Sequence, residues 1–417
     1  MAPKAATKMI TGKNALTKAL AAIEKKTGKK PMAETVYVPV STGSFPVDNL
    51  IGGSIKLGGE PICLGFPRRR ITELFGPESS GKTTLSTSTM VQCQRAGGTC
   101  LFIDYEHAFD LNYARSQGLV VDDPSRFALV QPDDMEEGFK MAFIGIGMGV
   151  DMVVMDSVAA MVPKAELDRD FDELAKIGVV AAKLSQLLPK MVMFLSKYPL
   201  IEGDKEKSDP SHPGTAFVLI NQTRAKIQTG GYGGGAGGGD DDNTTGGKAL
   251  KFYASLRLKV QKIKAESIKS KDPITGKDVN SPFGNITNVK CIKNKMDGRQ
   301  GHSTQIFIRF GTGVDDHYSV IESAVTQGLM KKSGSFYELK DVRTQGREKM
   351  RKYLMENPPI YQALKMALSQ SINASARVIT PEEMSEEDQI LEGELAEMGL
   401  DAATSDSAVE SELLEEV

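Results

Sequence analysis

At 417 residues and 45.1 kDa, the chain exceeds what one compact core usually holds, which predicts a main domain with smaller appendages. A mean hydropathy of -0.25 and the lack of any apolar run approaching 18 residues argue against a membrane span. The four cysteines (Cys63, Cys93, Cys100, Cys291) and four histidines show no CxxC or HxxxH spacing, which excludes a disulfide framework and a zinc cluster and points to a reducing cytoplasm.

Charge is unevenly placed behind the net value of -3. Residues 381–417 carry 14 of the 54 Asp and Glu and no Lys or Arg, so the preceding chain holds all 51 basic side chains against 40 acidic ones. A basic body of this kind attracts phosphate. The acidic tail is read either as a competitor for the nucleic-acid surface or as a disordered solubilising segment.

The N-terminus is Lys-rich without a following apolar segment, so no secretory signal is expected. Leu16, Leu20 and Ile23 recur at helical spacing over residues 14–26, with Gly28 as a stop signal. This predicts a short amphipathic helix in an arm covering residues 1–46. From near Val47, strands and helices alternate: ITELF (71–75), a helix from Lys82 to Ala96, TCLFI (99–103) and a helix from Asp110 to Gln117. FALV (127–130), a helix over 134–147, DMVVMD (151–156), a helix around 177–197 and AFVLI (216–220) continue the series. The expected fold class is therefore α/β, with a mostly parallel twisted sheet flanked by helices. Beyond Leu256, SLRLKVQKI, NITNVKCIK and STQIFIRF predict an antiparallel extension containing a hairpin. The core is expected to end at residue 314, with a small α-rich C-terminal domain over 315–380 and the acidic tail from 381. Two loops stand out. Residues 229–247 hold ten glycines in nineteen positions and cannot keep one conformation without a partner, and residues 202–214 read as a surface connection.

The segment Gly76, Pro77, Glu78, Ser79, Ser80, Gly81, Lys82, Thr83 fits G-x-x-x-x-G-K-[ST], between a predicted strand and a predicted helix. Glycines let the backbone wrap closely, so that its N–H groups and the helix N-terminus face phosphate oxygens. Lys82 then bridges the β- and γ-phosphates of ATP and Thr83 binds Mg²⁺. A phosphate site of this kind needs a carboxylate at the end of a neighbouring buried strand, and Asp156 supplies one, although capping of the next helix is an alternative use for it. Glu106, just past LFID, is placed to orient or deprotonate water, with Asp104 as its rival and His107 as a structural residue. Gln222 ends AFVLINQ at the same sheet edge, as a γ-phosphate contact or an ordinary strand-terminal amide.

Together GPESSGKTTL, IDYEHAFD, VVMDSVAAMVPKAE, INQTRAKI and TTGGKALKFYASLRL resemble the bacterial RecA recombinase family, over roughly residues 14–330. The resemblance implies a RecA-like P-loop ATPase core that forms homo-oligomeric helical filaments on single-stranded DNA, pairs it with duplex DNA and exchanges strands, in the cytoplasm and away from membranes. It implies Glu106 as the catalytic glutamate, Asp156 as the metal-side aspartate and Gln222 as the γ-phosphate sensor. It adds Thr84 to the phosphate loop, Asp110 and Tyr113 at the adenine, and Phe310 as a further aromatic. Lys293 and Lys295 are implied to reach a neighbour's ATP across the subunit interface. DNA is implied to meet two loops, near 166–177 and 223–247, through Ser185, Arg224, Lys226, Gly246 and Gly247. The second loop departs from the family pattern in its glycines, in Asp240, Asp241 and Asp242, and in Tyr232 as its lone aromatic. Pro189 stands where the family tends to hold a basic residue.

Overall fold

The computed structural model describes residues 12–27, 39–52, 65–168, 178–197, 212–223, 244–271, 276–296 and 300–375. The contacts divide the chain into two units, 1–323 and 324–417.

The first unit opens with α1 (Gly12–Thr27), β1 (Pro39–Val40) and α2 (Phe45–Ile51). β2 (Phe66–Pro67), β3 (Arg70–Gly76), α3 (Lys82–Arg95), β4 (Cys100–Asp104), α4 (Leu111–Ser116), β5 (Phe127–Val130), α5 (Met135–Gly147) and β6 (Met152–Asp156) follow. Then come α6 (Lys164–Leu167), α7 (Val179–Lys197), β7 (Ala216–Gln222), α8 (Gly247–Tyr253), β8 (Leu256–Lys271), β9 (Asp278–Asn294), β10 (Ser303–Arg309), β11 (Gly313–Val314) and α9 (Asp316–Thr326). Nine of the strands form one sheet in the order β11-β10-β9-β8-β3-β7-β6-β4-β5. Pairing is parallel from β8 through β3, β7, β6 and β4 to β5, and antiparallel from β8 outward to β11. The parallel core and its antiparallel extension are as expected.

The central strands are continuous apolar runs because both their faces are covered. In β6, Met152 and Val154 join a core with Leu85, Met90 and Val91 of α3, whereas Val153 and Met155 join the opposite core with Phe139 and Ile146 of α5. Each such side chain, once fully buried, contributes about 1.5–3 kcal/mol. In α7, Leu184, Leu188, Met191 and Leu195 form one buried stripe on that second face. An 18-residue window of this 19-residue helix has a mean hydropathy of 1.3. By length and composition this helix meets the requirement for a membrane span, contrary to the expectation that no stretch would. Its buried stripe instead serves the sheet.

Asp48 in α2 closes the turn before it. Its carboxylate accepts from Thr42 N (2.7 Å), Thr42 Oγ1 (2.6 Å) and Ser41 Oγ (2.6 Å). Burial outweighs these donors and pushes its pKa up to about 7, with nearby Asp316 adding to the rise. A carboxyl whose folded pKa lies above its unfolded value contributes stability that is present at low pH and lost as pH rises through the folded pKa. Between about pH 4 and about pH 7, the wild type should therefore lose melting temperature relative to Asp48→Asn. Parallel melting curves across that range would remove Asp48 from the titration.

The first unit runs to residue 323, past the end of the core expected at 314. α9 begins inside the first unit because Tyr318 stacks on Phe307 of β10, with ring centroids 3.8 Å apart, and Ser319 Oγ accepts the Phe307 N–H. The second unit is mainly helical, as expected, and also carries a small sheet. It holds an antiparallel sheet of β12 (Lys331–Ser333), β13 (Phe336–Leu339) and β14 (Val342–Gln345), besides α10 (Arg347–Glu356) and α11 (Pro358–Ser375). Tyr337, Met350, Leu354, Tyr361 and Leu368 are buried there. The acidic tail and most of the glycine-rich loop lie outside the described residues.

Candidate nucleotide and DNA site

β3 delivers the chain into the phosphate loop and α3 receives it. Gly81 caps α3 in the left-handed region at φ 97°, where a Cβ would stand 2.2 Å from Ile308 Cδ1, so sterics and backbone both require glycine. Lys82 Nζ donates to Gly76 O (3.1 Å) and Pro77 O (2.6 Å), curled over its own loop. Burial lowers its pKa, while Asp156, Glu106 and Glu78 oppose that shift.

Thr83 Oγ1 donates to Asp156 Oδ2 at 2.6 Å. Parallel pairing of β4 with β6 sets Asp104 beside Asp156 at the strand ends. Burial holds the Asp156 carboxyl up at about 7, and Glu106 and Asp104 push in the same direction. Oxygen donors from α3 and β6 thus converge where negative charge is under-compensated, which suits a hard divalent cation.

Glu106 is exposed and sits two residues past β4. Its Oε1 accepts from Gln222 Nε2 (2.8 Å) and from Ser157 Oγ. Its rival Asp104 is buried and accepts from Glu106 N (3.1 Å), Phe109 N (3.1 Å) and Gln131 Nε2 (3.3 Å), so it shapes the turn that presents Glu106.

A pocket of about 230 Å³ opens over the loop, lined by Ser79 to Thr84, Tyr113 and Phe310, together with Asn285, Thr287 and Ile308. The last three were not foreseen. They come from β9 and β10, and Ser80 Oγ and Asn285 Oδ1 are buried without a hydrogen-bond partner. Asp110 does not line this pocket. It caps α4 by accepting from Asn112 N (2.8 Å) and Tyr113 N (3.0 Å), and so orients the turn that carries Tyr113.

Lys293 and Lys295 also lie away from the pocket of their own chain. Lys293 Nζ donates to Lys251 O and Phe252 O, and Lys295 Nζ donates to Phe252 O at 3.3 Å, satisfying carbonyls at the end of α8. Burial lowers the Lys293 pKa, with Lys295 and Arg257 reinforcing the shift.

α7 and α8 meet where Gly246 (φ 94°) and Gly247 (φ 68°) start α8, with Leu184 and Ala181 packed over them. Ser185 stands exposed one residue along, its hydroxyl donating to Ala181 O (2.8 Å). Arg224 and Lys226 lie outside the described residues, as does most of the first loop.

Comparison with known proteins agrees with this geometry. The family model described as RecA N-terminal domain matches residues 14–315, and that of the RecA C-terminal domain matches residues 318–373, so the likeness runs further than residue 330. The chain is 37% identical to Protein RecA of Salinispora tropica over 372 residues, spanning 87% of this chain and 93% of the relative. It is 35% identical to Protein RecA of Kineococcus radiotolerans over 384 residues (90% and 97%), and 35% identical to that of Borrelia hermsii over 352 residues (84% and 88%). Both domains matched in order, at this identity over most of each relative, mean that the chain belongs to the RecA family of recombinases, the DNA-dependent ATPases of homologous recombination and repair.

Proposed function

We propose that ATP is the nucleotide bound at this loop, with Mg²⁺, and that its occupancy controls a cytoplasmic filament on single-stranded DNA which takes up duplex DNA for strand exchange. The observation that carries this reading is the hydrogen bond between Glu106 and Gln222, which joins a water-activating carboxylate to the strand that leads into the second DNA loop.

Thr83 and Asp156 are the residues that would hold Mg²⁺, and the ion when bound offsets phosphate charge. Lys82 exchanges the carbonyls of Gly76 and Pro77 for phosphate oxygens, at little cost because those carbonyls are neutral acceptors. The side chains of Ser80 and Asn285 gain partners on ligand binding, and Tyr113 and Phe310 offer rings to the base. Phosphoryl transfer needs mainly positioning and charge compensation, so Glu106, steadied by Ser157 and Gln222, has the single task of orienting the water and taking its proton.

Exposed Leu16 and Ile23 on one face of α1 support the arm as a polymerisation element. Lys293 and Lys295 serve a neighbour's nucleotide, which makes assembly and triphosphate occupancy one equilibrium. Ser185, Arg224, Lys226, Gly246 and Gly247 contact the DNA backbone, leaving sequence readout to base pairing.

Negative-stain images test this directly. Open filaments should form with single-stranded DNA and a non-hydrolysable ATP analogue, and disperse when both are withheld. Closed rings would favour a processive motor, and dispersed chains at saturating ligand would reject the interface site.

A further inference from the structure

A buried polar row crosses the centre of the sheet over β8, β3 and β7. Arg257 of β8 is the register partner of Glu73 in β3, and Asn221 of β7 lies diagonally across on the far side of that strand. Glu73 and Asn221 are fully buried and Arg257 is 4% exposed. Both oxygens of Glu73 are engaged: Oε2 accepts from Arg257 Nε, and Oε1 accepts from Asn221 Nδ2 at 2.9 Å. The Arg257 guanidinium also covers the Phe75 ring, 4.6 Å from its centroid.

A carboxylate only accepts, so Glu73 dictates that the amide nitrogen of Asn221 faces it and that the amide oxygen faces away. That nitrogen donates a second time, to Thr245 O (2.9 Å), and the oxygen accepts the N–H of Gln222 (2.9 Å). One side chain therefore grips the backbone of Gln222 and the returning strand at Thr245. Between these points Thr223 bridges Thr244 in antiparallel fashion, closing the root of the second loop. Buried ion pairs are weak evidence of stability, since apolar replacements of similar volume often serve as well. The polarity of this row calls for another role.

We propose that Asn221, oriented by Glu73 and Arg257, is a positioning residue that couples Gln222 to the pairing of Thr223 with Thr244, and so conveys nucleotide occupancy to DNA affinity. The proposal rests on Gln222 as the nucleotide sensor. Asn221 does not line the pocket. Its effect passes through the Gln222 backbone on one side and the Thr245 carbonyl on the other.

The test is a titration of a fluorescent single-stranded oligonucleotide with the full chain, with and without a non-hydrolysable ATP analogue, alongside thermal melting. Asn221→Asp places a carboxylate against Glu73 and should lower both the melting temperature and the nucleotide-driven tightening. Combining it with Glu73→Gln removes the repulsion, because the new amide at position 73 can donate to the new carboxylate at position 221. The double variant should regain melting temperature yet still lose about tenfold in tightening, since a carboxylate cannot donate to Thr245 O. Asn221→Ala, which brings in no charge, should lose tightening to the same extent. Recovery of tightening together with melting temperature in the double variant, or wild-type tightening in Asn221→Ala, would overturn the proposal. Gln222→Ala separates the two readings. Intact tightening there rejects the sensor itself, whereas loss there with intact Asn221 variants rejects only the coupling.

Discussion

Replacing Glu106 with Gln should lower the turnover of ATP by about 10²–10⁴-fold, with and without DNA, while nucleotide binding and filament formation persist. The substitution keeps size and planarity. An amide oxygen at position 106 can still accept from Ser157 Oγ and Gln222 Nε2, so the link between the sheet edge and the second loop survives. What disappears is a group able to take a proton from water. Filaments should therefore last longer on single-stranded DNA, because loss of the γ-phosphate no longer releases them. Phosphate release measured beside a fluorescent-nucleotide titration separates the two effects. Turnover within about threefold of wild type would move the base role elsewhere. Asp104→Asn is the informative control: Asp104 holds the N–H groups of Glu106 and Phe109, so its loss should disturb the turn and the melting temperature together.

The parallel half of the sheet was legible in the chain because a strand covered on both faces must be a continuous apolar run, as DMVVMD and AFVLI are. The phosphate loop was legible because its geometry is local: the strand, the glycines and the helix start are contiguous. The rest of the pocket was not. Asn285, Thr287 and Ile308 reach it by register of the antiparallel extension, and nothing in their residue types marks them. The three-stranded sheet of the second unit escaped because its strands are three or four residues long and β12 reads KKS, without the alternation that betrays a half-buried strand. A signal for the polar row was present and unread. Glu73 interrupts ITELF and Arg257 interrupts SLRL, each a charge inside a buried stretch of strand, a pattern that demands a buried partner. Asp110 shows the opposite difficulty: its position beside the adenine was inferred, yet its carboxylate is committed to capping α4.

Lys82→Ala should weaken nucleotide binding by about 2–5 kcal/mol and with it abolish nucleotide-dependent assembly and strand exchange. The magnitude follows from where the side chain stands. Lys82 is 7% exposed, its pKa is lowered by burial, and the acidic groups around it, Asp156, Glu106 and Glu78, have it as their nearby cation within the loop. Truncation would leave the phosphates of a ligand facing those carboxylates without the ammonium, so repulsion adds to the lost contact. Fold stability should change far less. Without ligand, the lysine serves only the carbonyls of Gly76 and Pro77, and the latter is partly exposed and can turn to water. The decisive measurement is a fluorescent-nucleotide titration paired with a melting curve and a strand-exchange assay. Lys82→Arg serves as the comparison: it retains charge but its planar fork fits poorly in a loop closed by Gly76 and Gly81, so it should recover part of the affinity and little of the exchange. Wild-type affinity in the alanine variant would reject the loop as the nucleotide site, whereas equal losses in melting temperature and affinity would make Lys82 a structural residue.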